Sequence, residues 1–91
     1  MQNAIDVSVE RDEEGALATV KVAVGSETTE HRVRVTDEDL ERYGSSDARD
    51  LVRRSFEFLL EREPASSILP EFGISEIERY FPEYPSVIKT A

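Results

Sequence analysis

The sequence predicts an α+β fold: a three-stranded antiparallel meander, then a short helix, a long amphipathic helix and a short carboxy-terminal helix, packed on one face of the sheet. Three observations predict it. Apolar and polar residues alternate through the first 35 positions, the period of a half-buried strand. Gly15 and Gly25 interrupt that alternation where hairpins need them. From Asp47 to Glu63 the period changes. Ala48, Leu51, Val52, Ser55, Phe56, Leu59 and Leu60 recur at spacings of three and four, one face of a helix.

The first strand spans Ala4–Glu10, with Ile5, Val7 and Val9 on one side. Asp12-Glu13-Glu14-Gly15 makes the turn. The second strand, Ala16–Val24, presents Ala18, Val20, Val22 and Val24. Gly25-Ser26 fits a two-residue hairpin loop, and Glu27–Val35 follows with Thr29, His31, Val33 and Val35 on one face. These loops set Val20 opposite both Val7 and His31, and Lys21 opposite Glu30. A slip of one residue would turn the apolar set to solvent.

Thr36 is a good N-cap, and Asp37, Glu38 and Asp39 suit the positive end of a helix dipole. Leu40 and Tyr43 give that short helix an apolar side, and Gly44 ends it. Ser45 or Ser46 is expected to cap the long helix, which Pro64 stops. Ser75-Glu76-Ile77-Glu78 reads as a capping box opening a helix over Glu76–Phe81, closed by Pro82. Residues 1–91 therefore read as one domain: a meander over 1–35, a helical part over 36–84 and a fraying tail over 85–91.

The net charge is −9, spread through all parts of the chain. Such a charge repels nucleic acid at long range and favours solubility. Nine of the eleven basic residues are Arg, which suits a GC-rich genome or a high-salt host, and equally an ordinary acidic surface. There is no cysteine, hence no disulfide, thiolate metal site or thiol nucleophile. No stretch approaches the roughly 20 apolar residues that span a bilayer, so a cytoplasmic protein without membrane attachment is expected.

His31, the only histidine, lies on the apolar face. It could be a general base or a metal ligand. With no second His or Cys beside it, a core histidine with a satisfied ring is the better reading. Asp37-Glu38-Asp39 is better explained as an acidic first turn than as a metal cluster. No phosphate-cradling glycine loop and no nucleophile elbow is present. No cofactor, metal or catalytic residue is expected.

Arg32 and Arg34 alternate on the third strand, and Arg49, Arg53 and Arg54 follow on the long helix. Over His31–Arg62 this superficially resembles a ribbon-helix-helix DNA-binding protein. The first helix is short for that family, two strands precede the ribbon, and the charge opposes a phosphate backbone.

Six of the seven aromatic residues come late: Phe56, Phe58, Phe72, Tyr80, Phe81 and Tyr84. Phe58 falls off the stripe of the long helix. Either Ile68–Phe81 folds back over it, or Phe58, Tyr80 and Tyr84 form an aromatic surface for a protein partner or a weak homodimer.

The run SFEFLLEREPASSILPEFGISEIERYFPEYPSVI resembles the carboxy-terminal half of small uncharacterised prokaryotic proteins with an FLLEREP…SIL…F…I…YFPEY pattern. The matching positions are mostly apolar, proline or turn residues. The resemblance implies a shared architecture and no site. The expected function is a small, acidic, non-enzymatic protein–protein interaction module, with a ribbon-helix-helix-like regulator as the alternative. An enzyme using carboxylates alone is the third and least favoured reading.

Overall fold

The computed structural model describes residues 4–89. Among the described residues the fold is α+β, with four strands and four α-helices. Strands β1 (Ala4–Asp12), β2 (Gly15–Val24) and β3 (Glu27–Thr36) pair antiparallel in sequence order. Val20 sits opposite Val7 on one side and His31 on the other, and Lys21 opposite Glu30. These are the pairs the loop lengths require. At the first turn Gly15 takes φ +150° and runs so close to β3 that a Cβ would collide with the Val35 carbonyl. Only glycine fits that approach.

The sheet has four strands, not three. Strand β4 (Glu71–Gly73) pairs parallel with β3 across Arg32–Arg34, extended by a hydrogen bond from Arg32 N–H to the Pro70 carbonyl at 2.8 Å. Strand β3, which would be an edge in the expected three-stranded meander, is therefore interior over that stretch. The sheet order leaves β1 and β4 at the edges.

Helix α1 (Asp37–Arg42) opens with a reciprocal cap. Asp39 N–H donates to Thr36 Oγ1 and Thr36 N–H donates to the Asp39 carboxylate. Helix α2 (Ala48–Leu60) is capped by Asp47, not by the serines before it. The Asp47 carboxylate accepts from the N–H groups of Arg49 and Asp50, while Ser45 braces the Asp47 backbone. The helix stops at Leu60, three residues short of the expected end. Pro64 disfavours helical geometry just before it, and the turn lets Arg62 fold back over the helix.

From Glu61 to Lys89 the chain wraps around α2. A 3₁₀ turn over Ile74–Glu76 leads into α3 (Ile77–Tyr80). Ser75 makes no capping hydrogen bond among the described residues; the Glu76 carboxylate instead accepts from Gly73 N–H at 2.7 Å. Over 85–89 the expected fraying tail is helix α4 (Tyr84–Lys89), with Pro85 in its first turn, where a missing N–H costs nothing, and positions 90 and 91 lie outside the described residues. Tyr84 and Ile88 lie one turn apart and both are buried. Arg54 Nη1 donates to the Ile88 carbonyl at 2.7 Å, tying the end of α4 to α2. The buried side chains form one contiguous cluster from Val7 to Ile88.

Candidate functional site

The residues singled out by sequence divide into core and surface. His31 is buried. Its Nδ1 lies 2.8 Å from the Leu69 carbonyl and its Nε2 lies 2.9 Å from Thr29 Oγ1. A carbonyl only accepts, so Nδ1 carries a proton and Nε2 pairs with the threonine hydroxyl. The ring also packs on Phe56, with centroids 5.3 Å apart. His31 is thus a pin between β3 and the wrap.

The expected aromatic surface of Phe58, Tyr80 and Tyr84 is not assembled. Phe58 is 3% exposed and Tyr84 is 0% exposed, whereas Tyr80 is 66% exposed. Phe58 meets Phe81 and Tyr84 edge-on, at 5.7 and 5.2 Å. The Arg62 guanidinium lies 3.6 Å above the Phe58 ring and reaches Glu83 at 3.2 Å. The physical reason is that α2 is covered on two sides, by the sheet and by the wrap. Its buried face is therefore wider than one stripe. Ser55 carried the missed signal: a hydroxyl within an apolar stripe needs a buried partner. It has two: Ser55 Oγ donates to the Leu51 carbonyl at 2.7 Å and lies 2.6 Å from the Tyr84 hydroxyl.

A second polar tie joins α1 to α3. Arg42 donates to both Glu78 carboxylate oxygens at 2.7 Å, and the Tyr43 hydroxyl donates to the same carboxylate. The Arg42 hydrogen bonds hold the Glu78 carboxyl below its usual value, and Tyr43 adds to the effect. Burial first, and the Glu78 carboxylate second, push the Tyr43 phenol up. Burial likewise raises Tyr84. These groups hold the wrap in place.

Among the openings the wrap leaves is an apolar cleft of about 280 Å³ between the end of α2 and the segment 67–81. Leu59, Ile68, Phe72, Ile77 and Phe81 supply its apolar floor. Leu69, 45% exposed, and Tyr80 stand at its rim. Two carboxylates, Glu63 and Glu76, line it, and among the described residues no Lys or Arg does. Sequence reasoning named Tyr80 among these residues but missed Leu69, Glu63 and Glu76. They come together only because the wrap returns across α2.

A shallower groove over Glu38, Asp39, Arg42, Ser75, Glu78 and Arg79 is polar, and its central charges already pair with each other. On the outer face of the sheet Arg34 is engaged by Asp12 and Glu14, at 3.1 and 3.6 Å. Among the described residues, no helix is long and apolar enough to cross a membrane. No family model, no curated protein and no solved structure matches the chain.

Proposed function

We propose that the chain is a small, non-enzymatic protein-interaction module that works through the cleft beside α3. The observation that carries this reading is a pair of large apolar side chains, Leu69 and Tyr80, left in solvent at the rim of an apolar depression. Apolar surface grouped around a concavity is what a protein docking site needs. The carboxylates offer little support for acid–base chemistry. Glu78 accepts from Arg42 and Tyr43 and is held low, the opposite of a general acid poised near neutrality. The ribbon-helix-helix alternative loses support as well. Strand β3 has a neighbour on both sides at Arg32–Arg34, and Arg34 is neutralised by carboxylates. A homodimer through Phe58 and Tyr84 has no basis, because both lie in the core.

The reading is tested by placing a photo-crosslinking residue at Ser67, which lines the cleft, and separately at Thr28, exposed on the outer face of the sheet. In host extract, Ser67 is expected to give one discrete adduct that Leu69→Asp abolishes, and Thr28 none. Equal labelling at both positions, or an adduct indifferent to Leu69→Asp, overturns it.

A further inference from the structure

We infer that the cleft takes a basic segment of a different protein, one apolar side chain seated on the floor and a Lys or Arg held at the rim by Glu63 and Glu76; this rests on the cleft being the docking site. The volume, about 280 Å³, sits at or below the small end of small-molecule pockets and suits a single large side chain. The rim sets the charge. Asp12, Asp37, Asp50, Glu78 and Glu83 each pair with an arginine of this chain. Glu63 is half-buried and makes no ion pair among the described residues. Glu76 is anchored by Gly73 N–H, so its charge has a fixed position at the same rim. A half-buried carboxylate without a cation is stabilised by one supplied from outside. The net charge of −9 draws a basic partner in and repels a second copy of this chain.

A displayed library of random linear peptides, selected on the intact chain, tests both layers. Selected peptides are expected to share one apolar anchor with Lys or Arg within two positions. Their binding should weaken about fivefold on Glu63→Gln, the upper range for a partly exposed ion pair, and should weaken with salt. Leu69→Asp should abolish it. Thermal melts of both variants should match the wild type, since neither side chain is in the core. Apolar peptides without basic flanks, insensitive to Glu63→Gln, overturn the inference and leave the cleft reading standing. Peptides that survive Leu69→Asp, or no enrichment, overturn both.

Discussion

Residues 4–36 and residues 61–89 are built in opposite ways. Strands β1, β2 and β3 are joined by tight turns, and each strand's partner is its neighbour in sequence. Regular backbone pairing runs their full length. The wrap from Glu61 to Lys89 has no regular element longer than six residues. It is held by contacts distant in sequence: Leu69 to His31, Pro70 to Arg32, Glu78 to Arg42, Tyr84 to Ser55 and Ile88 to Arg54. The difference teaches where binding surface can arise. The outer face of the sheet carries polar side chains such as Lys21, Glu30, Arg32 and Arg34. A wrap fastened at separate points leaves a gap between them, and the cleft is that gap.

The largest expected effect breaks the wrap outright. Phe58→Glu places a carboxylate between Phe81 and Tyr84 and should cost at least about 4 kcal/mol, by loss of the ring and burial of a charge. Denaturant melts should show the loss, and sedimentation of wild type and variant should reveal no dimer dissociation. A well-folded Phe58→Glu chain would mean that the wrap does not cover α2.

Acid and alkali should each act on the wrap's ties. A carboxyl whose folded pKa lies below its unfolded value stabilises the native state above that unfolded value. Glu78 is such a group, so its contribution should be lost as pH falls from about 4.3, the ordinary glutamate value, through the lowered one. For the phenols of Tyr43 and Tyr84, raised by burial, stability is present below about pH 10 and lost as pH rises beyond it. Glu78→Gln should reduce the slope on the acid side of a stability–pH curve, with a remainder left because Asp12 and Glu83 are also held low, and should leave the alkaline side sloped. An unchanged acid limb would place the relevant carboxylate elsewhere.

A smaller effect sharpens the comparison. Tyr84→Phe removes the hydroxyl partner of Ser55 but leaves Ser55 bonded to the Leu51 carbonyl at 2.7 Å. It should cost about 0.5–1.5 kcal/mol, the worth of one hydrogen bond. The loss should appear as faster local opening of α4, read by amide exchange, with β2 unaffected. Equal acceleration in both regions would join them into one cooperative unit.

The same contrast explains what could be read from sequence. The facing of Val7, Val20 and His31 follows from strand periodicity and turn length, which are local signals. The face of α2 through Leu51, Val52, Phe56 and Leu59 follows from helix periodicity. Strand β4 has three residues, too few for any period, and exists because β3 offers it an edge. Helix α4 was hidden behind Pro82 and Pro85, with only the Tyr84–Ile88 spacing to mark it. The cleft was least legible of all. Glu63, Leu69, Glu76 and Tyr80 are ordinary surface residues until Leu69 is tied to His31 and Glu78 to Arg42.

Native-state hydrogen exchange, residue by residue, tests the contrast most directly. Amides of β2 and of the middle of α2 should exchange only through global unfolding. Amides of α3 and α4 should open earlier, through partial release of the wrap. Exchange from α3 and α4 as slow as from β2 would contradict the account, because the wrap would then be as firmly built as the sheet.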